Sequence, residues 1–150
     1  MVLWRISNHA TLDGLGGLKA SGRWHTRGHR IVYLSASPAS ALLEILVHLE
    51  IDRDDLPRFY KLHEIDVPDS LPLERAEELE NLPPHWRNRI DLTQGIGDLW
   101  LRRKSSCLLA VPSALTPHTS NFLLNPQHKD SMKISIVSES REPLDQRLLK

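Results

Sequence analysis

A glycine-rich stretch between residues 9 and 28 constrains the fold more than any other part of this sequence. It holds five of the seven glycines in the chain and has little helical or strand periodicity. A connection of this length without secondary structure of its own is uncommon inside a compact domain unless it binds something. The glycines do not complete the G-x-G-x-x-G pattern, because the third would fall on Lys19, and no P-loop pattern occurs. We therefore reject a Rossmann fold for this chain.

Short elements flank the glycine-rich stretch on both sides. The apolar patterning predicts strands at residues 2–7, 31–35, 58–67, 107–111 and 133–137. It predicts helices at residues 38–50, 73–81 and 93–104, and a polar tail or last short helix at 139–150. The helix at 38–50 has the strongest start signal, with Ser37 as N-cap and Pro38 at the first helical position. Because strands and helices do not alternate regularly, we expect a single α+β domain with short strands around a cleft.

Length and charge fit one small globular domain. A chain of 150 residues is long enough to bury a core. Nineteen Lys and Arg residues balance nineteen Asp and Glu residues, and the one short basic run lies at residues 102–104. Proteins that bind nucleic acid through its phosphates usually carry a basic excess or stripe. Direct binding to nucleic acid is therefore disfavoured.

The remaining composition argues against a membrane segment, a disulfide and a metal site. Arg5 interrupts the N-terminal run where a signal peptide would need apolar residues, and no segment approaches about 18 apolar residues. We therefore predict a cytoplasmic protein. Cys107, the single cysteine, lies in the apolar run CLLAV and is predicted to be a buried thiol. His25 and His29 are four residues apart, but no HExxH or Cys/His pattern accompanies them, so no metal site is expected.

Two polar side chains, Arg5 and Tyr33, occur within apolar segments that are predicted to be strands. An unpaired guanidinium in such a strand is costly, so Arg5 must meet an acidic partner or a bound anion. The planar fork of an arginine suits pyrophosphate and carboxylate oxygens, and both a structural ion pair and a bound dinucleotide remain open. Tyr33 is by composition a strand aromatic, and Ser35 points to the same face two residues later.

Glu44 lies on the less apolar face of the predicted helix 38–50. Leu42, Ile45, Leu46 and Leu49 share one face of this helix, and Ser37, Ala41, Glu44 and His48 share the opposite one. Periodicity alone would make Glu44 a solvated carboxylate. The small residues beside it would instead let another molecule approach closely, so a binding role also remains open.

Five stretches of the chain together resemble a known family. The segments WRIS, GLGGLKASGRWHTRG, IVYLSASPASALLE, AVPSAL and SNFLLNPQH resemble the RES domain, the toxin half of RES–Xre toxin–antitoxin pairs, from about residue 4 to 128. The Arg, Glu and Ser that name the family fall on Arg5, Glu44 and Ser113. The resemblance implies an ADP-ribosyltransferase-like fold with an NAD-binding cleft, and an enzyme that cleaves the nicotinamide–ribose bond of NAD⁺.

The resemblance also implies a set of site residues. Its catalytic candidates are Arg5, Tyr33, Glu44 and Ser113. Its substrate-binding candidates are Arg23, Ser35 and Asn121, while Asn125 and His128 belong to the matched region without a defined role. Glu44 would contact the nicotinamide ribose and stabilise positive charge on the anomeric carbon. Tyr33 would lie near the nicotinamide, Arg5 and Arg23 near the phosphates, and Ser113 would bind the substrate or orient Glu44.

For reaction and partners the resemblance leaves several alternatives open. NAD⁺ would be the substrate and not a cofactor, with water or inorganic phosphate as acceptor, that is, hydrolysis or phosphorolysis. A protein acceptor is the runner-up within the same fold, and a non-catalytic binding module with a structural Arg–Tyr–Glu cluster is the alternative outside it. The expected partner is an Xre-type helix-turn-helix antitoxin that supplies the DNA contacts. A homodimer within the toxin–antitoxin complex is left open.

Overall fold

The computed structural model describes residues 1–49 and 56–149, and in these ranges the strands form a seven-stranded sheet. The strands are β1 (Val2–Ile6), β2 (Val32–Ser35), β3 (Phe59–Asp66), β4 (Leu73–Arg75), β5 (Leu108–Pro112), β6 (Ser120–Leu124) and β7 (Ser135–Pro143). The α-helices are α1 (Gly16–Lys19), α2 (Pro38–His48), α3 (Ala76–Leu79) and α4 (Ile90–Arg103). Short 3₁₀ turns occupy Trp86–Asn88, Ser131–Lys133 and Gln146–Leu149.

The order of the strands in the sheet is β4-β5-β6-β2-β1-β3-β7. Every neighbouring pair is antiparallel except β4 and β5, which run parallel. A mainly antiparallel sheet with helices outside it is an α+β architecture, as the sequence predicts. The strand β1, which carries Arg5, lies between β2 and β3 in the interior of the sheet.

Apolar side chains are buried on both faces of the sheet. In β6, Phe122 and Leu124 belong to one core cluster, while Leu123 between them belongs to the other. Alternate residues of a strand point to opposite faces, so the two clusters lie on opposite sides of the sheet. The cluster that contains Leu123 also holds Trp24 from the glycine-rich stretch and Trp100 from α4. The glycine-rich stretch is therefore packed against the sheet and not a free loop.

Three elements differ from the sequence predictions. The predicted helix at 73–81 begins instead as β4, because Leu73–Arg75 pairs with β5, and only Ala76–Leu79 is helical. The predicted tail or short helix at 139–150 begins instead as a strand, since β7 extends to Pro143 through pairing with β3, and a short 3₁₀ helix follows at Gln146–Leu149. The strand β6 was not predicted at all. Position 50 of the predicted helix 38–50 lies outside the described residues, as does Lys150, and the observed helix ends at His48.

Candidate active site

A cleft of about 420 Å³ opens where the glycine-rich stretch, α2 and the ends of the central strands meet. This volume falls in the range of small-molecule sites. Six of the seven side chains predicted for the site line this cleft: Arg5, Arg23, Tyr33, Ser35, Glu44 and Asn121. Residues that are up to 116 positions apart in the sequence thus line the same cleft.

The helix α2 presents Glu44 to the cleft. Its N-terminus is capped by Ser37, whose Oγ accepts a hydrogen bond from the Ser40 N–H at 3.1 Å. Ala41 is buried, and Ala41, Glu44 and His48 all line the cleft. The face with the small residues is therefore the one turned to the cleft. Glu44 is half-buried there and is not a freely solvated carboxylate.

Asn121 holds the Glu44 carboxylate in place. Its Nδ2 donates to Glu44 Oε1 at 2.8 Å, which links β6 to α2. An ionised carboxylate only accepts hydrogen bonds, so the amide nitrogen of Asn121 must be the atom that faces it. The other amide atom, Asn121 Oδ1, is buried and makes no hydrogen bond to a residue that the structure describes. Such an uncompensated acceptor has a cost, which suggests that Asn121 is placed for the site more than for stability.

Tyr33 is held by its hydroxyl and leaves part of its ring exposed. The Trp24 N–H donates to Tyr33 Oη at 3.1 Å, and His25 Nδ1 lies 2.8 Å from the same oxygen. Burial raises the pKa of Tyr33 well above its ordinary value, so the phenol stays protonated. Tyr33 lines the cleft and is 36% exposed as a whole residue.

Arg5 supplies a cation at the cleft without a direct ion pair. Its Nη1 donates to the carbonyl oxygen of Thr11 at 2.6 Å. Burial lowers the pKa of Arg5, and the nearby Asp13 carboxylate opposes that shift in part, so the guanidinium stays charged. Within residues 1–49 and 56–149, no salt bridge includes Arg5. The structural ion pair that the sequence left open is thus not found in the described part of the chain.

The helix α4 holds the glycine-rich stretch against the site. Thr93 Oγ1 donates to the Arg23 carbonyl at 2.6 Å, and Gln94 Nε2 donates to the Gly22 carbonyl at 2.9 Å. One turn later, the Asp98 carboxylate accepts from the N–H and the hydroxyl of Thr26 at 2.9 and 2.6 Å. Sequence reasoning missed these three helix residues.

A glycine within α4 was the available signal for that contact. A Cβ at Gly97 would collide with the backbone carbonyl of Trp24, so the helix and the stretch approach closely there. Glycine in a helix interior costs stability and therefore usually has a packing reason. A glycine inside the predicted helix 93–104 was therefore a signal that another segment packs closely against this helix.

Ser113 is not among the residues that line the cleft, and its contact with the substrate stays a prediction. It is buried at the end of β5, where its Oγ accepts from the N–H groups of Leu115 and Thr116 at 3.1 and 3.2 Å. Its hydroxyl therefore shapes the turn that carries Pro112 and Ala114, which do line the cleft. The hydrogen bonds of its side chain are to its own turn and not to Glu44.

The two further residues of the matched region, Asn125 and His128, also lie in a turn away from the cleft. Asn125 Nδ2 donates to the Leu101 carbonyl at 3.1 Å, and the N–H of Asp130 donates to His128 Nδ1 at 3.0 Å. Both residues are buried and connect β6 to the helix α4 and the following turn. Their contacts are structural.

Cys107 and the possible metal ligands among the described residues form no second site. Burial raises the pKa of the Cys107 thiol to about 11, which makes it unreactive near neutral pH. Among residues 1–49 and 56–149, no group of three or more His, Cys, Asp or Glu side chains is arranged to hold a metal ion. None of the helices described is long and apolar enough to cross a membrane.

An α+β domain whose cleft gathers an arginine, a tyrosine and a helix-borne glutamate defines the class of this protein. The RES domain family matches residues 2–145. The chain is 45% identical over 148 residues to "Toxin Res" of Pseudomonas putida, covering 99% of both chains. It is 38% identical over 135 residues to "Toxin Res" of Yersinia enterocolitica, covering 86% of each. The chain therefore belongs to the RES domain family.

Two further likenesses agree with this assignment. The chain is 35% identical over 159 residues to a protein of Sphingobium named "Prs ADP-ribosylating toxin", covering 98% of this chain and 96% of that one. Its fold is similar to a chain in the crystal structure of the M. tuberculosis MbcT–MbcA toxin–antitoxin complex, with a TM-score of 0.75 at 18% identity. That likeness covers 98% of this chain and 85% of the other. The expected α+β fold of the ADP-ribosyltransferase-like RES type is confirmed.

Proposed function

We propose that this chain is the toxin of a toxin–antitoxin pair and that it destroys NAD⁺ by cleaving the nicotinamide–ribose bond. The observation that carries the proposal is the Glu44 carboxylate, held by Asn121 in the same cleft as Arg5 and Tyr33. The names of the relatives support the toxin class. NAD⁺ is consumed in this reaction and is not a recycled cofactor.

Glu44 provides the electrostatic part of the reaction. When the bond breaks, its electron pair leaves with the ring nitrogen of nicotinamide, which becomes neutral. Positive charge then builds on the anomeric carbon of the ribose, and a carboxylate fixed beside it stabilises that charge. An oxygen of the acceptor forms the new bond and its proton leaves to solvent. Water as acceptor gives ADP-ribose, and inorganic phosphate gives ADP-ribose 1″-phosphate.

The arginines of the cleft serve the pyrophosphate. Arg5 and Arg23 both line the cleft, and each is oriented by a backbone carbonyl, that of Thr11 or Arg87. Each of those bonds uses one Nη1, which leaves other N–H groups of the guanidinium for an anion. A planar guanidinium can bind two phosphate oxygens at once.

Tyr33 serves the nicotinamide end. Its hydroxyl is occupied by Trp24 and His25, so the ring and not the hydroxyl is available to the substrate. A cationic pyridinium over an aromatic face gains cation–π attraction, which is lost when nicotinamide becomes neutral. Ser35 lies on the same strand and lines the same cleft, where its hydroxyl can bind a ribose hydroxyl.

A protein acceptor is the second candidate, and one observation favours it. The Sphingobium relative is named as an ADP-ribosylating toxin, which supports transfer of ADP-ribose to a protein as the alternative reaction. Incubation of the purified chain with NAD⁺ labelled in the adenylate phosphate separates the alternatives. Label in ADP-ribose or in a phosphate-dependent small product supports NAD⁺ destruction. Label bound to protein from a bacterial lysate, with no small product, would contradict it in favour of protein modification.

The proposed partner is an antitoxin that covers the cleft. The M. tuberculosis neighbour was solved as a toxin–antitoxin complex, which supports a partner of this kind. We propose, from the resemblance to RES–Xre pairs, that it is an Xre-type helix-turn-helix protein. The zero net charge of this chain agrees, because the partner would then supply the DNA contacts. Expression of the chain alone in the cytoplasm should stop bacterial growth with a fall in NAD⁺. Co-expression of the antitoxin should restore both, and growth arrest at unchanged NAD⁺ would contradict the proposed reaction.

A further inference from the structure

His25 connects the glycine-rich stretch to the cleft tyrosine. It is 3% exposed, and both of its ring nitrogens have partners. Nε2 lies 2.9 Å from the Ala20 carbonyl oxygen, and Nδ1 lies 2.8 Å from Tyr33 Oη. A carbonyl oxygen only accepts, so Nε2 must carry a proton. In a neutral ring, Nδ1 is then an acceptor.

This tautomer determines the direction of the bond to Tyr33. The Tyr33 hydroxyl donates to His25 Nδ1 and accepts from the Trp24 N–H at 3.1 Å. The two bonds fix the position of the oxygen and the direction of its proton. Gly22 closes the arrangement, because a Cβ at that position would collide with Tyr33 Oη. The Tyr33 hydroxyl is therefore anchored in the glycine-rich stretch, and the residue itself lines the cleft.

We propose that His25, as the neutral Nε2–H tautomer, is a positioning residue that orients Tyr33 for the nicotinamide, and that protonation of His25 suppresses turnover. The inference rests on the proposed function, because it assigns Tyr33 to the nicotinamide end. A protonated ring would turn an Nδ1–H toward an oxygen that already accepts from Trp24. The Tyr33 proton would then have no acceptor in its present direction.

The surroundings of His25 favour the neutral ring. Burial lowers the pKa of His25, and the charge of His29 acts in the same direction, while the Ala20 and Gly17 carbonyls and the Asp98 carboxylate oppose it. Of these groups, the Asp98 carboxylate accepts two hydrogen bonds from Thr26, which already partly compensate its negative charge. The cation of Arg23 is the further charge near Tyr33. A second cation at His25 would also repel the cationic nicotinamide ring.

Two substitutions of His25 separate its two nitrogens. An asparagine places its Oδ1 where Nδ1 stands and cannot be protonated, so His25→Asn keeps the acceptor for Tyr33. A glutamine places its Nε2 where the ring Nε2 stands, so His25→Gln keeps the donor to Ala20 and loses the acceptor. We expect His25→Gln to lose about 3- to 10-fold in kcat/KM at pH 7.5, the scale of one neutral hydrogen bond. His25→Asn should retain a clearly higher kcat/KM than His25→Gln. In the Tyr33→Phe background, His25→Gln should cause no further loss of kcat/KM.

The pH profile and the imidazole itself complete the test. Between pH 7.5 and 5.5 the parent should lose kcat/KM for NAD⁺, and His25→Asn should lose much less. Nitrogen NMR of the parent, with the His25 signal assigned by its loss in His25→Asn, should give the Nε2–H tautomer. An Nδ1–H tautomer, or two variants that match the parent in rate and pH profile, would overturn the inference. A parent that cleaves no NAD⁺ at any pH would refute the proposed function, a result separate from either of these.

Discussion

Asn121 Nδ2 donates a hydrogen bond of 2.8 Å to Glu44 Oε1. This bond joins a sheet strand to the helix that borders the cleft, and the two residues lie 77 positions apart in the chain. A donor that touches only one carboxylate oxygen leaves the other free to face the substrate. The carboxylate is thereby oriented before the substrate arrives, which is what electrostatic catalysis needs.

The first prediction concerns this bond. Asn121→Asp places a second carboxylate against Glu44, and two like charges at hydrogen-bonding distance raise the pKa of the pair. We expect kcat to fall by about ten-fold or more at pH 7 and the acid limb of the pH–rate profile to move to higher pH. The measurement is NAD⁺ cleavage from pH 5 to 9. A profile that superimposes on that of the parent would contradict the role of Asn121.

The double substitution Glu44→Gln with Asn121→Asp is the matched control. It restores a hydrogen bond between positions 44 and 121 with donor and acceptor exchanged. The free energy of unfolding should return toward that of the parent, while NAD⁺ cleavage should stay low because the charge has moved off α2. Recovery of activity together with stability would mean that the pair is only structural.

Arg5 is predicted to bind phosphate by its fork and not by its charge alone. Arg5→Lys keeps the charge and loses the paired N–H groups, so kcat/KM for NAD⁺ should fall by roughly ten- to a hundred-fold, the scale of one or two charged hydrogen bonds. Arg141→Lys is the control, because Arg141 is an exposed residue of the edge strand β7 over the Phe59 ring. Equal losses in both variants would contradict a specific role for Arg5.

Two glycines of α4 test how this helix holds the glycine-rich stretch. A Cβ at Gly95 meets nothing within 4 Å, so Gly95→Ala should stabilise the protein by about 0.5–1 kcal/mol. A Cβ at Gly97 meets the Trp24 backbone, so Gly97→Ala should destabilise it by roughly 1–3 kcal/mol and lower the activity. Chemical denaturation of both variants gives the comparison. Similar effects at the two positions would mean that the close approach is not important.

The pKa of His25 predicts how stability depends on pH. Its pKa is lowered from 6.5 by burial, so the unfolded chain takes up a proton at a pH where the folded chain does not. The stability that the neutral His25 contributes is therefore fully present above about pH 6.5, and it is lost as the pH falls below that value toward the lowered pKa of the folded chain. The parent should lose more unfolding free energy than His25→Asn between pH 7.5 and 5.5. A parent that gains stability relative to the variant on acidification would contradict the lowered pKa.

The sequence predicted the cleft residues better than the elements that carry them. Small neighbours such as Ala41 left a binding role open for the side of α2 that carries Glu44, and the family resemblance decided for that role. The motif segments also brought Asn121 into the site, although its partner could not be read from spacing. The start of α2 is visible in the local sequence, whereas Asn121 lies in β6, a strand that the sequence did not predict, so only the resemblance placed Asn121 in the site.

Other features depend on contacts between distant segments and could not be predicted. The residues of β4 have a helical pattern locally, and only pairing with β5 makes them a strand. Thr26 and Asp98 are 72 positions apart, so the local sequence around either residue does not predict their contact. Ser113 was drawn into the site by the family pattern, but its hydroxyl is used by its own turn.

The release of nicotinamide from NAD⁺ by the purified chain tests the central claim most directly. The parent should release nicotinamide in equal amount to the NAD⁺ consumed. Glu44→Gln keeps the shape of the side chain and removes its charge, so its rate should fall by about 10²-fold or more. Glu77→Gln, an exposed residue of α3, should match the parent. A rate of nicotinamide release by Glu44→Gln within a few-fold of the parent rate would contradict the account. A parent that releases no nicotinamide would contradict it as well.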